Sequence, residues 1–262
     1  MTARVFDFTD ALVRMPSRSV TGGLRAGGQP DPDHAGLSAE HAAYVAALET
    51  AGVTVDILPP LEAFPDSVFV EDPAFVVTEG AILLRPGAPS RAGESAALAK
   101  ALERRFPSVL TLDRGHADGG DILVLPREIL IGLSARTDRA GAERFAALAG
   151  ELGRVVRIVE TPAGTLHLKT ASSLIDERTV IATPALAAAG LFGDLEILVT
   201  PPGEEAAANL LRVNDAVLVG SGYRATSDVL KARGHSVVPL PVCEIAKIDA
   251  GLSCMSLRWR AG

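Results

Sequence analysis

One cysteine near the end of the chain is the strongest candidate for covalent chemistry. Cys254 closes the segment 244–254, whose glycine permits a sharp turn that presents the thiol. Three polar clusters, at 66–72, 116–121 and 166–169, interrupt otherwise apolar sequence and supply acids and an imidazole. A cysteine combined with histidine and acids is typical of nucleophilic catalysis.

The reactivity of a cysteine depends on its thiolate fraction. A free thiol with a pKa near ~8.5 is mostly protonated at neutral pH. Cys254 therefore needs a neighbouring cation or a bound cationic substrate. The structural alternative is a small buried hydrophobe in a C-terminal strand, and that is our interpretation of Cys243.

The histidine and the acids each allow a structural and a functional interpretation. His167, between two leucines, is either a core histidine or a general acid or base at a strand tip. Asp118 and Asp121 flank a Gly-Gly pair, which forms either an ordinary turn or a close approach to a ligand. The acids within 64–73 alternate with apolar residues, and buried acids need partners.

Two other kinds of site find no support in the sequence. The spacing of the acids and histidines matches no zinc template, so we predict no metal and no cofactor. The glycine-rich segment 22–28 is neither a phosphate loop nor a dinucleotide fingerprint. We interpret it as a mobile flap over the site.

Composition narrows the class of protein further. The 262 residues are 48% apolar and 22% charged, which is ample for a core, and we expect a single domain over 1–262. The net charge is -7 and the lysines and arginines are scattered, which excludes a nucleic-acid footprint. No stretch of ~18 apolar residues could span a membrane. With two cysteines and no apolar leader, we expect a cytoplasmic protein that acts on a small molecule.

An internal repeat organises the elements that must position these residues. The apolar runs 81–85, 128–132 and 216–220 each precede a polar loop, an amphipathic helix and a second strand. The helices are predicted at 93–105, 141–152 and 227–233, and the closing strands at 109–112, 154–159 and 236–240. Weaker copies begin at 179–182 and in the N-terminal segment through 53–57. The irregular spacing favours repeats closed around an axis, where their loops converge.

Five motifs in order along nearly the whole chain resemble the dimethylarginine dimethylaminohydrolase family. The motifs are 64–72, 85–91, 132–137, 166–169 and 247–256. The resemblance implies an α/β pentein fold, in which five ββαβ-type repeats surround a pseudo-fivefold axis. It also implies hydrolysis of Nω-methylated arginine to citrulline and methylamine or dimethylamine. Asp118 stands where some relatives carry a longer glutamate, and Met255 where others carry a second cysteine.

The resemblance also assigns roles to individual residues. Cys254 attacks the guanidinium carbon, His167 transfers protons, and Asp118 and Asp72 clamp the cation. The other substrate contacts are Leu24 and Ile248 through their main chains, Asp66 near the ammonium, Arg91 and Arg136 at the carboxylate, and Glu71 in the pocket. We predict that Asp121 and Asp249 brace the site.

Other functions stay open at this point. An arginine or agmatine deiminase could use the same thiol, imidazole and acids, although two arginines for a carboxylate speak against agmatine. A pentein that only binds a partner is the third alternative, because fold alone does not give function. The sequence leaves the oligomeric state open, with a homodimer as one option.

Overall fold

Five small mixed sheets form the framework of the protein. The computed structural model describes residues 4–25 and 28–262, and each sheet in those parts has three strands. In every sheet the middle strand pairs antiparallel with one neighbour and parallel with the other. The parallel pair in each unit is joined through a helix, as a parallel connection requires.

The strands and helices are as follows. The strands are β1 (Asp10–Arg14), β2 (Thr54–Leu58), β3 (Ala74–Val77), β4 (Gly80–Leu83), β5 (Val109–Thr111), β6 (Ile122–Val124), β7 (Ile129–Leu133), β8 (Val156–Glu160), β9 (Ser172–Leu174), β10 (Thr179–Ala182), β11 (Glu196–Val199), β12 (Leu211–Val213), β13 (Ala216–Gly220), β14 (Ser236–Leu240) and β15 (Ser256–Trp259). The helices are α1 (His34–Thr50), α2 (Glu94–Glu103), α3 (Arg139–Glu151), α4 (Pro184–Ala188) and α5 (Arg224–Ala232).

Local sequence explains where several helices begin. Asp33 and Asp138 cap α1 and α3, since each carboxylate accepts a hydrogen bond from a backbone N–H in the first turn. Thr183 caps α4, and Pro184 is its first residue, where the missing N–H costs nothing. The middle strands β4, β10 and β13 are apolar and almost wholly buried, which fits strands covered on both faces.

The two ends of the chain together complete the fifth unit. Strand β15 pairs antiparallel with β1, placing Leu257 opposite Leu12, and β1 pairs parallel with β2 across α1. The inner strand of each sheet, namely β3, β6, β9, β12 or β15, contributes to the wall of one cavity of about 260 Å³. The five units therefore surround a common axis, which is the arrangement that the resemblance implies.

The repeats predicted from sequence are confirmed. The strands and helices of the three strong copies are observed within three residues of their predicted ends. The strand or strand tip predicted at His167 is not observed, because His167 lies in a loop and is followed by a 3-10 helix, Leu168–Thr170. Residues 26 and 27 of the predicted flap lie outside the described residues. No helix in the described ranges is both long and apolar enough to cross a bilayer.

Candidate active site

Two successive 3-10 helices deliver Cys254 to the site. They span Ile245–Ile248 and Leu252–Met255, and the thiol at the second is partly exposed. Gly251 is required between them, because a Cβ there would lie 2.4 Å from the side chain of Asn209. Residue 251 thus packs its backbone directly on that amide.

Asn209 is a site residue that sequence reasoning missed. Its Nδ2 lies 3.8 Å from Cys254 Sγ and its Oδ1 accepts a hydrogen bond of 3.2 Å from the Ser253 N–H. It therefore orients the nucleophile loop and offers a donor to the sulfur. Only one signal in the sequence marks it, a single polar amide after an alanine run that leads into β12.

The surroundings of Cys254 favour the neutral thiol. Burial raises its pKa, the charges of Glu71 and Asp72 raise it further, and the result is about 11. The hydrogen bonds from Gly251 and Asn209 act in the opposite direction but do not compensate. A positive charge placed next to the sulfur is therefore needed for a substantial thiolate fraction.

His167 and Asp118 form a hydrogen-bonded pair. His167 Nε2 lies 3.0 Å from Asp118 Oδ2, and both side chains are buried. Asp118 Oδ1 accepts a second hydrogen bond, of 2.7 Å, from the Gly87 N–H. The carboxylate is thereby fixed from both sides and points one oxygen at the imidazole.

Acids around His167 keep it protonated at neutral pH. Burial alone lowers its pKa, but the hydrogen bond to Asp118 and the charges of Asp72, Asp121 and Asp118 outweigh it. The pKa of His167 rises to about 9 as a result. An imidazolium in this position can donate a proton to a departing amine.

The Gly-Gly pair is explained by close backbone contacts. A Cβ at Gly119 would lie 1.9 Å from the carbonyl oxygen of Glu71, and one at Gly120 would lie 2.8 Å from the His167 ring. Both glycines are therefore needed to bring Asp118 and Asp121 against the other site segments. The functional interpretation of this segment accounts for the observed packing better than an ordinary surface turn.

Asp72 is buried beside His167 and is paired with Arg91. Its Oδ1 accepts a 2.9 Å hydrogen bond from the Gly120 N–H, while Oδ2 forms an ion pair with the Arg91 guanidinium. Burial works to raise the pKa of Asp72, but Arg91 and His167 hold it below its ordinary value. The carboxylate is therefore ionised, and these contacts fix its orientation beside His167.

The two arginines predicted to bind the substrate carboxylate differ in their surroundings. Arg91 is 3% exposed and is saturated by Asp72, by Glu94 at 2.7 Å and by two backbone carbonyls. The side chain of Arg136 forms no hydrogen bond or ion pair with the described residues, and it is only partly buried. Arg136 is therefore the guanidinium that can accept a new anionic partner directly.

The carboxylate of Glu71 is held by neighbouring side chains. Its Oε1 binds Lys169 Nζ at 2.7 Å and an Arg258 nitrogen at 2.9 Å, and its Oε2 accepts from Ser253 at 3.1 Å. Its backbone N–H donates to the Cys254 carbonyl at 3.2 Å. This geometry supports the nucleophile loop and does not favour the predicted direct substrate contact.

Leu24, Asp66 and Ile248 lie close together in the structure. Asp66 Oδ1 accepts a 2.9 Å hydrogen bond from the Leu24 N–H. A Cβ at Gly23 would lie 3.2 Å from that same oxygen and 3.4 Å from Ile248, which shows how closely the three segments meet. Burial raises the pKa of Asp66, and a cationic group beside it would lower that pKa.

Asp121 and Asp249 occupy positions that suit bracing. Asp121 accepts hydrogen bonds of 2.6 Å from Ser134 and Thr137, and one of 2.9 Å from the Leu168 N–H next to His167. It thus ties the Arg136 loop to the histidine loop. Asp249 has left-handed backbone (φ 55°) at the end of the first 3-10 helix, where the chain turns toward Cys254.

One group of side chains in the site could also hold a cation. Asp72, Asp118 and His167 each place one ligand atom within 4.8 Å of the other two. The same separation suits a planar guanidinium, which two carboxylates bind through paired hydrogen bonds. The arrangement can therefore polarise a guanidinium carbon beside a thiol and an imidazolium.

Comparisons with known proteins agree with this geometry. Residues 45–207 match the family model described as arginine deiminase. The chain is 37% identical to the N(G),N(G)-dimethylarginine dimethylaminohydrolase of Pseudomonas aeruginosa, over 96% of this chain and 100% of that protein. The protein of the same name from Streptomyces coelicolor is 33% identical, over 95% of this chain and 96% of that protein. The fold also matches a solved structure of the Pseudomonas aeruginosa protein, a cysteine-to-serine mutant complexed with citrulline. The match covers 97% of this chain and 100% of that chain, with a TM-score of 0.93 and 36% sequence identity.

Proposed function

Because the chain belongs to the dimethylarginine dimethylaminohydrolase family, we infer that it hydrolyses Nω-methylated arginines to citrulline and dimethylamine or methylamine. The reaction runs through a covalent thiouronium on a cysteine. The observation that carries this inference is that the buried Asp72 lies close enough to interact with both Cys254 and His167, whose imidazole is hydrogen-bonded to the buried Asp118.

Asp72 and Asp118 hold the methylated guanidinium in this proposal. Their carboxylates accept hydrogen bonds from the N–H groups of the planar cation and fix its orientation beside the thiol. The cation also offsets the charge of Asp72, which is one cause of the high pKa of Cys254. Substrate binding therefore favours the thiolate, and the thiol proton leaves to solvent.

Cys254 and His167 then carry the two chemical steps. The thiolate forms a bond to the guanidinium carbon, and His167 donates its proton to the amine as the carbon–nitrogen bond breaks. The neutral imidazole next removes a proton from water, and the hydroxide adds to the thiouronium carbon. The proton taken from water returns His167 to its protonated form. As the carbon–sulfur bond breaks, the hydroxyl group of the adduct loses its proton to solvent, which gives citrulline and frees the thiolate.

Arg136 and Asp66 recognise the amino-acid end of the substrate. Arg136 has no ion-pair partner among the described residues, so it is available to bind the carboxylate bidentately. Asp66 lies close enough to Arg136 for their charges to interact, and it receives the ammonium. Arg91 reaches the carboxylate only by exchanging Asp72 or Glu94, so we assign it first to holding Asp72.

A substrate panel tests the proposal. Purified protein is incubated separately with asymmetric dimethylarginine, monomethylarginine, arginine and agmatine, and citrulline or carbamoylputrescine is measured together with the released amine. We expect turnover of the two methylated arginines. Turnover of arginine alone would reassign the protein to the deiminases, which the description of the matching family model makes the second candidate. No turnover of any of the four would refute the enzyme assignment.

A further inference from the structure

The cavity on the axis of the five sheets has no part in the proposed reaction. It has a volume of about 260 Å³. Ser253 and Glu71 line it, whereas their chain neighbours Cys254 and Asp72 do not. One layer of residues therefore carries the catalytic groups on one side and faces this cavity on the other.

Cationic side chains dominate the described part of the cavity wall. It carries six of them against two acids, Asp7 and Glu71, in a protein whose net charge is -7. Two further acids lie outside the wall, where Asp215 pairs with Arg4 and Glu79 pairs with Arg154. Six cations against these four acids still leave an excess of positive charge. The six cations are Arg4, Arg154, Lys169, Arg212, Arg258 and Arg260.

Two of these arginines approach one aromatic ring. The Cζ atoms of Arg4 and Arg212 lie 4.9 Å and 5.0 Å from the centroid of the Phe6 ring. Burial lowers the pKa of Arg212, and the charge of Arg4 lowers it further. An anion bound beside both guanidinium groups would offset the charge of Arg4 that acts on Arg212.

Two arginine nitrogens in the wall lack an acceptor within the described residues. They are Nε of Arg154 and Nε of Arg258, and both atoms are buried. The Arg258 side chain is 11% exposed, and its other nitrogens are already bonded to Glu71, Ser253 and Ser256. A buried donor without an acceptor is unfavourable. Both atoms are occluded as the side chains stand, so an oxyanion in the cavity would accept from them after a rotation of the guanidinium groups.

We propose that this cavity binds a small multivalent oxyanion, either inorganic phosphate or an organic di- or tricarboxylate. The volume lies below the ~300 Å³ at which pockets for drug-sized ligands begin, so the ligand is small. The excess of positive charge selects a multivalent over a monovalent anion. The ion pairs of Glu71 with Lys169 and Arg258 separate this ligand from Cys254.

Calorimetric titration with inorganic phosphate and, separately, with citrate tests the proposal, with sodium chloride at matched ionic strength as the baseline. We expect saturable binding that Arg154→Gln and Arg212→Gln each weaken about tenfold or more, because each removes a charged donor. The matched control is Arg157→Gln. Arg157 is 41% exposed against 33% for Arg154, and it pairs with a surface carboxylate of Glu128 away from the cavity.

Each outcome of the titration has a defined meaning. Binding of only one of the two anions supports the proposed cavity site and shows whether the ligand is inorganic phosphate or an organic carboxylate. No saturable binding, or binding that both cavity variants leave intact, overturns the proposal. Binding that is lost in Arg136→Ala and retained in Arg154→Gln also overturns it, since the anion would then lie at the substrate carboxylate position. No step of the test measures turnover, so its result is independent of the proposed reaction.

Discussion

Replacing Asp118 by asparagine should move the pKa of His167 into the neutral range. The 3.0 Å contact between Asp118 Oδ2 and His167 Nε2 is a charge-assisted hydrogen bond in a buried setting. Such a bond contributes roughly 1.5–3 kcal/mol, and each 1.36 kcal/mol corresponds to about one pKa unit. The pKa of His167, about 9 in the native protein, should therefore fall to roughly 7–8.

The chemistry of the asparagine amide strengthens this expectation. Asparagine Oδ1 can still accept the hydrogen bond from Gly87, which leaves Nδ2 facing the imidazole. An N–H donor opposite His167 Nε2 favours the neutral ring and disfavours the imidazolium. At pH 8.5 the protonated fraction should fall from roughly three quarters to between about 3% and a quarter. The alkaline limb of the rate profile should shift down in pH by the same amount as the pKa.

The assay is a pH titration of the His167 ring by NMR, combined with the pH profile of kcat. Asp118→Glu restores the charge with one more methylene and should return the pKa toward its native value. Asp138→Asn is the matched control, because it removes a 3.2 Å partner from His116 on the surface. An unchanged His167 pKa in Asp118→Asn, or an equal fall in Asp138→Asn, would refute the reasoning.

Two further changes test other parts of the site, and a third tests a buried histidine in α1. Cys254→Ser should abolish turnover and leave the melting temperature within a few degrees, so appreciable citrulline production would remove it from the nucleophile role. Arg136→Ala should raise KM about tenfold or more with a smaller effect on kcat, because the charge of Arg136 lies far from the reacting carbon. The control is Arg139→Ala, which replaces an exposed arginine nearby in sequence and should change neither constant. His41 is buried, and its Nε2 has no partner among the described residues. Burial lowers the pKa of His41 to about 4 in the folded protein, whereas the unfolded chain takes up the proton near pH ~6.5. The free energy of unfolding should therefore fall as the pH drops below ~6.5, by up to about 3 kcal/mol. Denaturation of His41→Leu across pH 4–7 should show a flatter pH dependence than the native protein, and identical slopes would exclude His41 as a cause.

Elements with a strong periodic or apolar pattern could be predicted from the sequence. The runs that form β4, β7 and β13, and the helices that follow them, carry enough residues for the pattern to be read. The inner strands β6, β9 and β12 contain only three residues each and follow no α-helix that would mark their place. The equally short β5 could be predicted because it closes a strand–helix–strand repeat. The pairing of β15 with β1 joins opposite ends of the chain, and no local signal specifies it.

The candidate site likewise has features that could be predicted from the sequence and features that could not. The motifs identified which side chains carry chemistry, but they could not say which acid pairs with which base. Glu71 and Asp72 are adjacent in sequence, yet one binds Lys169 across the cavity wall and the other binds Arg91 beside the imidazole. Such pairings depend on which face of the chain is turned inward. Asn209 has no motif of its own, and only its contact with the nucleophile loop identifies it.

The pKa pattern explains why a cation should be attacked and a neutral product left alone. With the pKa of Cys254 at about 11, only a very small fraction of molecules carries the thiolate at pH 7. A guanidinium between Asp72 and Asp118 places a positive charge near the sulfur and raises that fraction. Citrulline carries no charge at its ureido group, so it provides no such stabilisation. Burial, Glu71 and Asp72 make the free thiol unreactive, and Asp72 therefore also selects for a cationic substrate.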